Sequence, residues 1–155
     1  MPDATDMGAI TDDDDRGGRA CDAILIPPIA ALMGFTGFTA EQGKVVFTID
    51  PQEYHYNPLG SVHGGMIATL VDTALGCAVQ TLLPAGTGYT TVDLQVSFVR
   101  PVTVETGEIV CTAEALRVGR KIGRAVARVE DRDGRLLAHA TASQLIVAPG
   151  ALAAA

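Results

Sequence analysis

A single carboxylate interrupts the most hydrophobic stretch of the sequence. Asp72 lies within residues 66–83, where apolar side chains predominate. A carboxylate removed from water becomes a stronger base, so Asp72 could act as a general base or nucleophile near neutral pH. The alternative is structural, because buried acids are usually paired: Asp72 could bond the backbone of a neighbouring strand or Thr69. The sequence leaves both interpretations open.

A histidine and two glycines precede the same stretch. The first-turn amides of a helix lack an intrahelical acceptor and carry the positive end of the helix dipole. Glycines there lack the side chains that would obstruct a ligand oxygen. The segment His63, Gly64 and Gly65 could therefore polarise a carbonyl or hold an oxyanion. The glycines could equally serve a tight entry into the helix, and His63 could cap or pack.

The spacing of these two features limits how they can cooperate. His63 and Asp72 are nine residues apart, which is roughly 13 Å along a helix axis. They cannot act on one atom within a single chain. If both belong to one site, the acid comes from one subunit and the helix N-terminus from another, as in a two-fold dimer with two equivalent sites.

The hydrophobic periodicity indicates which elements position these residues. A short helix is expected at residues 27–33, a strand at 44–50, and a long helix from about residue 64 to 83, before Pro84. Four further strands are expected at 89–99, 108–116, 123–130 and 135–147. Short connections predict antiparallel neighbours, so the expected fold class is α+β, a long helix against a five- to six-stranded antiparallel sheet.

The predicted long helix is apolar around most of its circumference. Its polar positions form one narrow stripe: Thr69, Asp72, Thr73, Gly76 and Gln80. Because one sheet face covers only one side of a helix, we expect a second copy of the chain to cover the rest.

Composition places the chain among soluble globular proteins. With 155 residues, 48% hydrophobic and 19% charged, one domain is expected, with residues 1–22 as a disordered acidic tail, 23–148 as the domain and 149–155 as a C-terminal tail. No apolar run crosses a bilayer uninterrupted and no signal segment is visible, so the cytoplasm is the expected compartment. Three widely spaced cysteines fit neither a disulfide framework nor a metal site.

The charge is distributed unevenly along the chain. Of the net charge of −7, residues 1–22 carry −5, while seven of the nine remaining cations lie within residues 117–135. This cluster indicates either an anionic ligand or a solvated strand face balanced by neighbouring acids. Nucleic acid is disfavoured, because the chain is acidic and no aromatic residues alternate with the arginines.

Together these residues resemble the hotdog-fold acyl-CoA thioesterases, most closely the PaaI-like group related to the 4-hydroxybenzoyl-CoA thioesterases. The similarity rests on Asn57, His63, Gly64, Gly65 and Asp72 at their spacing, and on the segment VSFVRPV that ends the strand after the helix. It covers roughly residues 24–147 and implies a helix wrapped by an antiparallel sheet.

The resemblance also implies roles for individual residues. The Gly64 N–H would polarise the thioester carbonyl, Asn57 would orient substrate or water, and Asp72 of the facing subunit would act as general base or nucleophile. Thr90 or Thr91 would place the water, and spacing favours Thr90. Candidate contacts to substrate and the CoA phosphates are Gly65, Thr91, Arg100, Arg120, Lys121 and Arg124. No cofactor or metal is implied.

We therefore expect an acyl-CoA thioesterase that hydrolyses an aryl- or medium-chain acyl-CoA and assembles as a homodimer with shared sites, and further as a homotetramer. One alternative is an enoyl or 3-hydroxyacyl thioester hydratase or dehydratase, which would pair His63 with an acid. The other is a non-catalytic acyl-CoA binding domain. The acyl group is left open, although Met33 and Phe35 could form part of an acyl pocket.

Overall fold

The computed structural model describes residues 28–148, in which two α-helices and six strands follow one another along the chain. Helix α1 spans Pro28–Leu32 and helix α2 spans Gly64–Gln80. The strands are β1 (Phe35–Glu41), β2 (Lys44–Ile49), β3 (Gly88–Phe98), β4 (Ile109–Val118), β5 (Ile122–Asp131) and β6 (Leu136–Val147). The predicted acidic tail and C-terminal tail lie outside the described residues.

The strands form one antiparallel sheet in the order β1-β2-β4-β5-β6-β3. The predicted fold class is therefore confirmed: one long helix packs on a six-stranded antiparallel sheet. The expectation of sequential neighbours holds for β4, β5 and β6. It is wrong for β3, which pairs with β6 because residues 99–108 form a long connection with a 3₁₀ turn, not a hairpin.

Strand β1 was missed in the strand prediction. Thr36, Gly37 and Thr39 interrupt the apolar alternation there, so the period-2 pattern is weak. A tight turn joins β1 to β2 with Gly43 at φ +79°, a backbone conformation that suits glycine.

Helix α2 begins as predicted and ends earlier than predicted. His63 is its N-cap, and the last helical residue is Gln80 instead of a residue near 83. The reason lies in Thr81, whose hydroxyl donates to the Ala78 carbonyl and accepts the Gly43 N–H at 2.8 Å. These bonds tie the end of the helix to the β1–β2 turn.

The sheet curls around α2, which packs against β2 to β6. Within one chain this buries the apolar helix positions Met66, Ile67, Leu70, Val71, Ala74, Leu75, Ala78 and Val79. The inference that the apolar helix surface requires a second copy is therefore wrong. What remains half-exposed midway along the helix is a narrow stripe of Ala68, Thr69, Asp72 and Thr73.

A register shift between Thr91 and Asp93 interrupts the alternation predicted for β3. Val92 is the extra residue at this bulge and is 54% exposed. Thr91 therefore faces α2, on the same sheet face as Leu94 and Val96. A bulge of this kind re-aims the side chains on one side of it.

Candidate active site

Asp72 forms a hydrogen-bonded pair with a threonine of the neighbouring strand. The carboxylate lies midway along α2 and is half-buried, and the Thr91 hydroxyl donates to its Oδ1 atom at 2.9 Å. The two other hydroxyls of the stripe bond back to the helix: Thr69 to the Gly65 carbonyl and Thr73 to the Thr69 carbonyl. In the described chain no group donates to the Asp72 Oδ2 atom, which leaves this oxygen for a water or a substrate.

The structure brings Thr91, and not Thr90, to Asp72. Thr90 is exposed and pairs with Leu145, which is also exposed, so it lies on the sheet face turned away from α2. Side chains alternate along a strand, so the two threonines cannot share a face. Spacing in the sequence favoured Thr90. The bulge after Thr91 adds one residue to β3, so Thr91 is the threonine that shares the helix-facing side with Leu94 and Val96.

The negative charge of Asp72 affects the pKa of two neighbouring groups, the Cys77 thiol on α2 and the Tyr89 hydroxyl on β3. Burial, and secondly the charge of Asp72, raises the pKa of the Cys77 thiol to about 11. Burial, with the charges of Cys77 and Asp72, also raises the pKa of Tyr89. Both the Cys77 thiol and the Tyr89 hydroxyl are therefore neutral at physiological pH.

At the other end of the helix, His63 is a capping residue. Its Nδ1 atom accepts the Gly65 N–H at 2.8 Å, so the neutral ring carries its proton on Nε2. The N–H of Gly64 belongs to the first turn, where no intrahelical acceptor exists. A Cβ at position 64 would lie 3.0 Å from the Phe98 ring, so glycine permits this close contact.

Asn57 shapes the loop that enters α2. Its Oδ1 atom accepts the Leu59 N–H at 2.8 Å and the Ser61 N–H at 3.4 Å, and its Nδ2 atom donates to the Ser61 hydroxyl. These bonds close a turn across residues 57–61. The second Nδ2 hydrogen remains available beside the helix N-terminus.

An open cavity of about 360 Å³ lies against the Gly64 end of the helix. This volume is within the range of small-molecule sites. Its lining combines polar groups with an apolar wall: Asn57, Ser61, Val62, Gly64, Ile67, Phe98, Val99, Arg100, Pro101 and Val102. The apolar members from the end of β3 lie in the segment VSFVRPV, which supported the resemblance to the family, but they were not predicted as site residues.

The two chemically equipped regions are at separate places in one chain. Gly64 and Asp72 are eight residues apart in a continuous helix, which is roughly 12 Å along its axis. We call them the Gly64 half-site, with Asn57 and the cavity, and the Asp72 half-site, with Thr91. If both regions belong to one site, as the sequence analysis expects, a second chain must supply one of them.

The predicted basic cluster divides into two groups. Three of its arginines form ion pairs with nearby acids: Arg128 with Glu130, Arg132 with Glu108, and Arg135 with Asp131 and Asp133. Within residues 28–148, the other four form no ion pair and surround the β4–β5 turn: Arg117, Arg120, Lys121 and Arg124. The balanced-face interpretation thus fits the first group, and the anion-binding interpretation fits the second.

Arg100 lies apart from that cationic turn. It lines the cavity of the Gly64 half-site, and its guanidinium donates to the Leu136 carbonyl. The β4–β5 turn is at the opposite end of the sheet, where the Lys121 carbonyl accepts the Ile146 N–H next to the start of β3. The cations proposed for CoA therefore belong to different half-sites.

No group of three metal-binding side chains occurs in residues 28–148, and no helix there is long and apolar enough to cross a bilayer.

Comparison with known proteins identifies the family. The family model described as the thioesterase superfamily matches residues 59–138, which include Asp72, Thr91 and the Gly64 end of the helix. The chain belongs to this superfamily.

Relatives agree with the assignment. A protein of Halobacterium salinarum, named provisionally as an esterase, is 44% identical over 100 residues, which are 59% of this chain and 64% of that protein. Human acyl-coenzyme A thioesterase 13 is 32% identical over 103 residues, 65% of this chain and 71% of its own length. The chain thus spans less than two thirds of the halobacterial protein and somewhat more of the human one.

A solved structure from Ralstonia eutropha JMP134, described provisionally as a thioesterase related to phenylacetic acid degradation, superposes with a TM-score of 0.70. It is 28% identical, and the match covers 78% of this chain and 91% of that one. The chain has the hotdog fold, and the resemblance to PaaI-like thioesterases seen in its sequence is confirmed.

Proposed function

We propose that this chain is an acyl-CoA thioesterase that hydrolyses an aryl- or medium-chain acyl-CoA to the free acid and CoA. The observation that carries the proposal is the half-buried Asp72 carboxylate, which is held by Thr91 and has one oxygen without a donor among residues 28–148. Membership in the thioesterase superfamily and the name of the human relative support the choice of a thioester as the substrate.

The proposed reaction needs a donor for the carbonyl oxygen and a base or nucleophile for its carbon. The Gly64 N–H, at the positive end of the helix dipole, donates a hydrogen bond to the thioester oxygen and stabilises its developing negative charge. Asp72 either removes a proton from water as the water attacks the carbonyl carbon, or attacks that carbon itself. On the first route the C–S bond then breaks, and the leaving CoA thiolate takes up the proton that Asp72 removed from water. On the second route the C–S bond breaks to leave a mixed anhydride on Asp72. Water hydrolyses this anhydride to the free acid and the Asp72 carboxylate, and the proton that the water releases goes to the thiolate.

Thr91 takes the role that the sequence assigned with preference to Thr90. Its hydroxyl donates to Asp72 Oδ1 and thereby fixes the direction of the other oxygen. His63 supports the same site indirectly, because its ring holds the Gly65 amide and so defines the geometry of the first helical turn. Asn57 orients the substrate or water through its remaining amide hydrogen.

A second chain completes each site in this proposal. Strand β3 is an edge of the sheet and exposes apolar side chains, with Val92 at 54% and Phe98 at 58% exposure. Such an edge is a template for pairing with another chain. Antiparallel pairing of two β3 strands about a two-fold axis would place the Thr91 end of one strand beside the Phe98 end of the other. Because Thr91 contacts Asp72 and Phe98 contacts Gly64, the two half-sites would meet.

The same arrangement brings the two groups of cations together. Arg100 lies at the cavity of one chain, and the β4–β5 turn with Arg120, Lys121 and Arg124 flanks the Asp72 end of the other. We propose that these residues bind the CoA phosphates, which Arg and Lys recognise well. A homotetramer formed from two such dimers remains part of the proposal.

The hydratase or dehydratase alternative is less well supported by this geometry. It requires a histidine that shares the reaction with an acid, and the Nδ1 atom of His63 is occupied by the Gly65 amide. Assays that compare hydration of crotonyl-CoA with release of free CoA separate the two activities. A non-catalytic acyl-CoA binding domain would show binding with no thiol release.

The Asp72→Asn variant tests the function directly. We expect kcat/KM for thiol release to fall by about 10²–10⁴-fold across a panel of aryl and aliphatic acyl-CoA substrates, because the amide can neither accept the proton nor attack carbon. The exposed Asp50 offers a matched control, since Asp50→Asn makes the same chemical change at a residue that neither lines the cavity nor bonds to Asp72 or Thr91. An Asp72→Asn protein that keeps its kcat/KM would contradict the proposal.

A further inference from the structure

Gln144 is a large polar side chain that the described chain buries completely. Its exposed fraction is 0%, and neither its Oε1 nor its Nε2 atom has a hydrogen-bond partner among the described residues. Buried amides are nearly always satisfied, because an unpaired one is destabilising. The loss of stability caused by this unpaired buried amide therefore requires an explanation.

The register places Gln144 directly beneath the Asp72 half-site. It pairs with Thr91 on β3 and with Gly123 on β5, and residues paired across strands share a sheet face. That face is the one toward α2: the Thr91 hydroxyl bonds Asp72, and a Cβ at Gly123 would lie 2.8 Å from the Val79 side chain. Gln144 therefore points at the helix between Asp72 and Val79.

Few polar groups lie close enough to the Gln144 amide to be its hydrogen-bond partner. Thr91 is directly opposite Gln144, where Cβ atoms lie about 4.5–5.5 Å apart, whereas Tyr89 is diagonal, at about 7–8 Å. The Tyr89 hydroxyl also packs against Gly76. Since the side chain has no exposed surface, neither substrate nor a second chain reaches it without repacking. The Asp72–Thr91 pair is thus the partner that geometry favours.

The bulge in β3 lies at the same row. The register shift between Thr91 and Asp93 faces Gln144 on the neighbouring strand. Bulges re-aim side chains and are frequent beside active sites. A re-aimed threonine, a helical carboxylate and an unpaired amide therefore meet at one point in the fold.

We propose that Gln144 is a positioning residue for the Asp72–Thr91 pair. In the reacting state its side-chain amide donates a hydrogen bond to this pair and holds the Asp72 carboxylate in one orientation. The inference rests on the proposed function, since it takes Asp72 as the base or nucleophile. In the free protein the unpaired amide lowers stability, which is the pattern expected where a group is retained for function.

Gln144→Met tests this role, because methionine has a similar shape and no hydrogen-bonding amide. We expect the Tm of the full chain to rise by a few degrees and kcat for acyl-CoA hydrolysis to fall by about tenfold to a hundredfold, with KM nearly unchanged. Gln144→Leu serves as a second apolar variant. Ser143→Ala is the control: Ser143 is buried on the same strand and faces away from α2, so this variant keeps its kcat.

The results for the Gln144 variants test the positioning role separately from the thioesterase function, which Asp72→Asn tests. A full kcat in Gln144→Met, beside an inactive Asp72→Asn protein, would overturn the positioning role and leave the thioesterase proposal intact. A fall in both Tm and kcat in the Met and Leu variants would mark a packing role and also overturn it. If Asp72→Asn itself were fully active, the proposed function would fail first.

Discussion

Among residues 28–148, Asp72 has a single side-chain hydrogen-bond partner that fixes its orientation. The Thr91 hydroxyl holds Oδ1, while Thr69 and Thr73 use their hydroxyls on helix carbonyls and do not contact the acid. The carboxylate therefore has one fixed and one free oxygen. In the proposed mechanism this fixed orientation directs the free oxygen of Asp72 at one place, which attack on a single carbonyl carbon requires.

Replacing Thr91 by valine removes this hydrogen bond with little change of shape. We expect Thr91→Val to lower kcat by about tenfold to a hundredfold, because the carboxylate loses its orientation. Thr90→Val makes the same change one residue earlier, on the exposed face, and we expect it to retain most of the activity. Steady-state thiol release by both variants decides between the two threonines, and a larger loss in Thr90→Val would contradict the assignment to Thr91.

At the scale of elements, the buried residue His55 links the end of α1 to the loop before α2. The His55 ring accepts the Gln52 N–H on Nδ1 and donates from Nε2 to the Met33 carbonyl at the end of α1, while its own carbonyl accepts the His63 N–H. Burial lowers the pKa of His55, and the bond to Met33 opposes this only in part. The neutral ring is therefore the form that the fold requires.

This gives a pH dependence of stability with a defined sign. The unfolded chain protonates His55 near its ordinary pKa of 6.5, and the folded chain does so only at lower pH. The contribution of His55 is thus complete above about pH 6.5 and is lost as the pH falls below it. We expect Tm, measured from pH 8 to pH 5, to fall less steeply in His55→Gln than in the unchanged protein. His139, which is exposed, provides the control variant His139→Gln; equal slopes in all three proteins would contradict the prediction.

Patterns within one element were readable from the sequence, and relations between elements were less so. The long helix follows from local periodicity and was predicted, and capping by His63 was one of the alternatives that the sequence left open. The bulge in β3, the pairing of β3 with β6 and the curl of the sheet around α2 depend on tertiary contacts, and no local pattern encodes them. This is why Asp72 was found and its partner Thr91 was not preferred. In the sequence, Gln144 is recognisable only as a long polar side chain at an inward position of β6. Its proposed role depends on its neighbours Thr91 and Asp72, which belong to other elements.

At the scale of the molecule, the proposed mechanism makes α2 a spacer between two half-sites. It holds the Gly64 amide and the Asp72 carboxylate roughly 12 Å apart along its axis. Its apolar surface is already covered by its own sheet, so the argument for a dimer rests on the edge of β3 and on this separation. Two chains related by a two-fold axis would form two identical sites, each with one half from either chain.

Mixing two inactive variants tests whether sites are shared. Asp72→Asn destroys one half-site, and Gly64→Val obstructs the other, because a side chain at this position meets the Phe98 ring and blocks the approach to the N–H. In a mixed dimer with shared sites, both defects fall in one site and the other site is intact. Random pairing of the two co-expressed chains should then restore about a quarter of the unmutated activity. If each chain held a complete site, every site in the mixture would carry one defect and no activity would return. Each variant expressed alone supplies the background, and size-exclusion chromatography confirms that both variants fold and associate.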